Sequence, residues 1–177
     1  SKRKYSIYNM LFVLFLLFIF TFNSKAQVIF EEGYFIDNNN NKTVCLIKNF
    51  EWKNNPTRIE YKLLGSTKTL IGTISNVQEF QVSYLKYRRF TVNVDQSSES
   101  MSNLSIEKEP EFKKDTLFLK YIIEGYANLY ESPKHNKYFF NINDSAVSQL
   151  IYKEYISDNK VAKNNTYISQ LFNELKC

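Results

Sequence analysis

Between residues 40 and 95, apolar positions alternate with polar ones. Val44 and Leu46 are set against Lys48, Ile59, Tyr61 and Leu63 against Arg58, Glu60 and Lys62, and Phe90, Val92 and Val94 against Thr91, Asn93 and Asp95. Period two with β-branched and aromatic residues predicts half-buried strands. DTLFLKYIIEGYANLYESPKHNKYFFNIN, residues 115–143, predicts three more strands, joined by turns near Gly125 and at Glu131–Lys137. The first of these carries apolar residues on both parities, which places it centrally in a sheet.

The period changes in the last third. Val147, Leu150, Ile151 and Tyr155 follow helical spacing after a cap at Asp144, and Ile168, Leu171, Phe172 and Leu175 do so after Asn165 or Thr166. Lys176 suits the C-terminal end of the second helix dipole. The expected fold class is α+β and mostly β: an antiparallel meander-type sheet or open roll, with two short C-terminal amphipathic helices over residues 144–176. DQSSESMSNLSIEKEPEFKKD, residues 95–115, is polar, alternates in charge and contains Pro110, so it reads as an exposed connection within one domain.

The first 26 residues have a different pattern. Lys2, Arg3 and Lys4 precede an apolar run from Met10 to Phe22, and small or polar residues follow to Ala26. That is the layout of a secretory signal peptide, with cleavage expected after Ala26. The run is shorter than the roughly 20 apolar residues a membrane span needs, so no transmembrane span is expected after cleavage. Residues 27–177 then form a single β-rich domain, long enough to bury a core. The net charge of +5 also changes, because Lys2, Arg3, Lys4 and Lys25 belong to the leader, and about +1 remains. Such a chain has no electrostatic footprint for nucleic acid.

Few residues suggest chemistry. Asp37, Asn39 and Asn41 occupy the first positions of a calcium loop, but Lys42 and Lys48 stand where that loop requires Gly and Glu, so a solvated turn is expected. GSTKT, residues 65–69, lacks the second Gly of a phosphate loop and reads as a hairpin connection. His135 is the only histidine, which excludes sites needing two imidazoles, and it is expected on a surface turn. Glu31 and Glu32, with Glu107, Glu109 and Glu111, offer carboxylates for acid and base work, but nearby lysines favour a solvated surface. No cofactor or metal is expected. The sequons at Asn41, Asn103, Asn143 and Asn164 are what chance gives in so Asn-rich a chain.

YLKYRRF, residues 84–90, interleaves bases with aromatics. Tyr84, Lys86, Tyr87, Arg88 and Arg89 are therefore a candidate binding surface for an anionic glycan, a lipid headgroup or nucleic acid, the last disfavoured by the near-neutral charge. The plainer reading is a strand with the Phe90 face buried while Tyr87 and Arg89 face out. Cys45 and Cys177 are the only cysteines, and an exported chain can keep a disulfide between them, worth on the order of 4 to 5 kcal/mol by loop entropy. One buried and one terminal thiol is the equal alternative.

GYFIDNNNNKTVCLIKNFEWKNNPTRIEYK, residues 33–62, resembles the opening of exported Bacteroidetes envelope proteins that share an Asx-rich turn, a strand and a Trp-x-x-Asn-Pro turn. DTLFLKYIIEGYANLY, LIYKEY and NNTYISQLFNELKC are similar to the same set, some of whose members resemble the soluble N-terminal region of outer-membrane β-barrel proteins. The resemblance implies a periplasmic or outer-membrane-associated location, including the cell surface, and transfers no catalytic residue. The expected function is a non-catalytic exported domain that binds another envelope or outer-membrane protein. The alternatives are an envelope glycan hydrolase using paired carboxylates and a polysaccharide-binding surface module.

Overall fold

A computed structural model describes residues 29–143 and 145–175. The expected leader, the Asp144 cap, Lys176 and Cys177 lie outside the described residues. Ten strands form one antiparallel sheet: β1 (Phe30–Asp37), β2 (Lys42–Lys48), β3 (Arg58–Leu63), β4 (Leu70–Thr73), β5 (Val77–Val82), β6 (Leu85–Asp95), β7 (Phe112–Ile123), β8 (Ala127–Ser132), β9 (Lys137–Ile142) and β10 (Ser148–Gln149). A separate hairpin of β11 (Lys153–Ser157) and β12 (Lys160–Asn164) follows, and then helix α1 (Thr166–Leu175).

The spatial order is β10-β9-β8-β7-β6-β5-β1-β2-β3-β4. In a flat sheet the ends of β4 and β5 would stand four spacings apart, about 19 Å. The short link between Thr73 and Val77 reaches at most about 14 Å. The strands must therefore curl into a roll, and they do so around Cys45, Ile47, Ile59, Val77, Phe80 and Val82. At the other end β10 comes back to β6, where Gln149 Oε1 accepts a hydrogen bond from Asp95 N at 2.9 Å. This second roll encloses Val92, Val94, Leu117, Leu119, Tyr130 and Phe139.

The two rolls use opposite faces of the sheet. Along β6, Leu85 and Tyr87 belong to the first core and Val92 and Val94 to the second. Along β7, Phe118 turns to the first core while Leu117 and Leu119 turn to the second. Since successive side chains point to opposite faces, the sheet bends in an S, with β6 and β7 shared at its centre. The apolar residues on both parities of β7 thus do place it centrally, as expected.

The residues joining β2 to β3 close the first roll. Trp52 packs edge-on against Phe80 and Tyr87, with ring centroids 5.4 and 5.5 Å away. Asn55, in the same Trp-x-x-Asn-Pro turn, is buried, and its amide donates to the carbonyl of Phe118 at 2.6 Å. Ser132 Oγ and Lys134 N both donate to the Asn55 side-chain oxygen, so this one turn ties the first roll to the β8–β9 connection.

Three expectations are corrected. Among the described residues of the last third one helix forms, not two: the segment carrying Val147, Leu150, Ile151 and Tyr155 becomes β10, an extended link and β11. Asp158 and Asn159 both have positive φ, 50° and 59°, between paired Ser157 and Lys160, which makes a two-residue hairpin turn of the kind that suits antiparallel strands. Ile156 N donates to Ser105 O, Lys153 Nζ to Glu109 O and Asn164 Nδ2 to Lys108 O, and these bonds hold the hairpin against the β6–β7 connection. In β2 the core takes Cys45 and Ile47, while Val44 is exposed. Asp95, expected on a polar face, is buried, because its Oδ1 accepts from Ser97 N and Glu111 N at the neck of the exposed 96–111 connection.

Candidate functional site

Helix α1 arises from an amphipathic run, and its first turn is closed by Asn164, whose side-chain oxygen accepts from Thr166 N and Oγ1. Three hydrogen bonds tie its first half to the segment after β9. Tyr167 N donates to Ile151 O, Ile151 N donates to Gln170 Oε1, and Gln170 Nε2 donates to Gln149 O. The apolar side of the helix buries no residue completely. It stands instead over a groove of about 870 Å³.

The floor of the groove is the outer face of β8 and β9. Leu129 and Phe140 are cross-strand partners there, with Tyr138 beside them. Leu150 and Tyr152 from the link after β10, with Tyr167, Leu171 and Leu175 from α1, form the opposite wall. β8 and β9 therefore have apolar residues on both faces: Tyr130 and Phe139 turn into the second roll, and Leu129 and Phe140 into the groove. That double parity was the available sequence signal for a second layer over these strands.

One end of the groove is polar. Lys137 Nζ lies 2.6 Å from Glu99 Oε1 and 3.7 Å from Asp95 Oδ2, with the Lys137 and Asp95 side chains almost wholly buried. Lys153 also lines the groove and gives its ammonium to the Glu109 carbonyl. Glu154 accepts from the Tyr152 hydroxyl and pairs with Lys163 at 3.6 Å. Asp95 Oδ2 is buried and accepts no hydrogen bond.

The YLKYRRF residues are divided between the two faces. Tyr87 is in the first core, stacked on Phe80 with centroids 4.9 Å apart, and burial pushes its hydroxyl pKa up to about 12. The expectation that it faces out is overturned, because the β6 core positions switch parity between Tyr87 and Val92. Arg89 shares its face and donates to the Ile74 carbonyl and Asn38 Oδ1. Lys86 and Arg88 turn the other way, towards Glu79, Glu124 and Tyr121. The Tyr121 hydroxyl raises the Arg88 pKa, while burial and then Glu79 raise that of Tyr34, which donates to Glu79 at 3.0 Å. Tyr84 stands alone on the β5–β6 turn, 82% exposed. The five residues do not form one surface.

The other candidates take structural places. Asp37 accepts from Asn39 N, Asn41 N and Asn41 Nδ2, which caps the β1–β2 turn, and the Asn41 amide holds its pKa below the ordinary carboxylate value. Among the described residues no group of three or more His, Cys, Asp or Glu is placed to hold a metal. Residues 65–69 form the β3–β4 connection, with Gly65 at φ +75°. Glu31 accepts from the Asn49 amide, and Asn164, a sequon residue, is buried. Cys45 is fully enclosed in the first core, and burial pushes its thiol pKa up to about 11; its proposed partner Cys177 is outside the described residues. His135 sits in the β8–β9 connection with its Nε2 buried and without a partner. No described helix is long and apolar enough to cross a membrane. No protein-family model, curated protein or solved structure matches the chain.

Proposed function

We propose that this protein is a non-catalytic binding domain of the cell envelope and that the groove beneath α1 is its binding site. The observation that carries the reading is an amphipathic helix whose Tyr167, Leu171 and Leu175 side lies over a large, mainly apolar groove with charged side chains in its lining. The envelope location rests on the leader-like first 26 residues and on the resemblance of residues 33–62 to exported Bacteroidetes proteins.

The hydrolase alternative would have to pair two of Asp95, Glu99 and Glu154, the acids lining the groove. Asp95 Oδ1 is committed to two backbone N–H groups, Asp95 and Glu99 share Lys137, and Glu154 is held by the Tyr152 hydroxyl and Lys163, so each is already engaged by a neighbour. Catalysis is therefore the weaker reading.

Hydrogen exchange of the full chain, with and without envelope extract from its source, tests the proposal. Slower exchange is expected in residues 137–140 and 166–175, with no new reducing ends in the extract. Unchanged exchange throughout, or release of reducing ends, would overturn it. The envelope-protein partner expected from the sequence is distinguished from smaller molecules by whether the protecting component survives protease treatment of the extract.

A further inference from the structure

We infer that two copies of this chain pair through the free edge of β7, antiparallel about a two-fold axis at Phe112, with Glu111 of each copy opposite Lys113 of the other. The inference does not involve the groove. The β6–β7 ladder opens with Gln96 N donating to Glu111 O, so Lys113, Asp115 and Leu117 turn their main-chain groups to β6, while Phe112, Lys114 and Thr116 turn theirs away. The carbonyl of Phe118, next in that outward set, is taken by the Asn55 amide. β8 covers the outward edge only from Lys120, where Glu131 stands opposite; the position that would face Phe118 is Pro133, which has no N–H. Thr116 N donates to the Asp115 carboxylate. Among the described residues nothing pairs with the outward main-chain groups of Phe112 and Lys114.

Charge selects both the occupant and its register. Lysines on an open edge ordinarily keep strands apart, and Lys113 and Lys114 are exposed and make no ion pair among the described residues. Glu111, also exposed and without an ion pair there, stands two positions before Lys113 and therefore on the same face of the strand. A second copy turned about Phe112 brings Glu111 directly opposite Lys113 at two symmetric places. Outward groups must meet outward groups, so the next allowed register pairs Phe112 with Lys114. That register sets Lys113 against Lys113 and Glu111 against Asp115, like charges both times. At the axis the two Phe112 side chains, each 45% exposed in the single chain, cover one another. Pro110 has no N–H and ends the ladder before Glu109 comes opposite Asp115. So short a pairing gives a weak dimer that forms and separates with concentration.

The test is sedimentation velocity of the full chain from about 10 µM to about 1 mM, together with carbodiimide cross-linking of an equal mixture of isotope-labelled and unlabelled copies. A monomer–dimer equilibrium is expected, with Glu111 of one copy joined to Lys113 of the other in mixed-isotope peptides. Lys113→Glu and Glu111→Lys should each weaken the dimer by about tenfold or more, and the two together should restore it to within about threefold of the parent. Lys114→Glu, on the opposite face of the strand, should cost much less than Lys113→Glu. The three positions are exposed, and recovery in the double exchange shows that the single variants lose pairing and not the fold. A monomer at every concentration, joining only within one copy, a dimer that survives either single reversal, no recovery in the double exchange, or an equal loss in Lys114→Glu would each overturn the assignment.

Discussion

Asn55 donates its side-chain amide to the main-chain carbonyl of Phe118 at 2.6 Å, across 63 positions of sequence. Phe118 lies on β7 beyond the stretch paired with β8, so its carbonyl faces this turn. With Ser132 Oγ and Lys134 N bonded to its oxygen, Asn55 serves both rolls at once. Asn55→Ala strands these buried groups and is expected to cost about 2–3 kcal/mol in a urea titration. Asn55→Asp should recover little of this, because a carboxylate cannot donate to Phe118.

Glycine is required at Gly33 and not at Gly125. A Cβ on Gly33 would run into the backbone oxygen of Gln81 on β5, which pairs with β1, whereas one on Gly125 would meet nothing nearer than Ala127 O at 4.0 Å. Gly33→Ala is expected to lose about 1–3 kcal/mol by overpacking. Gly125→Ala should stay within about 0.5 kcal/mol of the parent. Thermal melting of the two variants side by side gives the comparison.

Cys45 reports closure of the first roll. Its side chain is fully enclosed and its thiol pKa is pushed up to about 11, so it stays protonated and inaccessible at neutral pH. Iodoacetamide should leave Cys45 unmodified in the native protein and modify it in step with urea unfolding. Peptide mass spectrometry separates it from Cys177. Rapid native labelling at Cys45 would show that the roll opens.

Stability should fall on mild acidification. Burial, followed by the charge of Lys134, holds the His135 pKa below its ordinary value of 6.5. The folded state therefore binds this proton less readily than the unfolded chain does, and its full stability is present above the unfolded pKa. The loss is expected to develop as pH drops from that value towards the lower folded one. Urea midpoints measured from about pH 7.5 down to about pH 5 should decline less in His135→Asn than in the parent.

Strand patterning was readable wherever one face of the sheet is solvated, as in β3, or where both parities are apolar, as in β7. It misled where the covered face changes. Tyr87 and Val92 occupy opposite parities of one strand yet are both buried, and no local pattern announces that an S-bend lies between them. Val147, Leu150, Ile151 and Tyr155 match a helix by spacing, but the Asp158–Asn159 dipeptide, with Tyr155 and Ile156 before it and Val161 after it, was a hairpin signal. The groove lay beyond single-segment reading for a different reason. Its walls come from β8, β9 and α1, and its polar end joins Asp95 and Glu99 to Lys137, contacts set by tertiary curl.

The S-shaped division of the sheet sets an order of assembly. Eight of the nine residues at the centre of the first roll lie between Cys45 and Tyr87, and the ninth is Phe118. A chain delivered N-terminus first can close that roll with a single vacancy while residues beyond β6 are still in transit. Phe118 then fills the vacancy edge-on to Phe80, at 5.2 Å between centroids, and β7 is laid down with its register already chosen. The second roll starts from that template and finishes last, with the 166–175 helix.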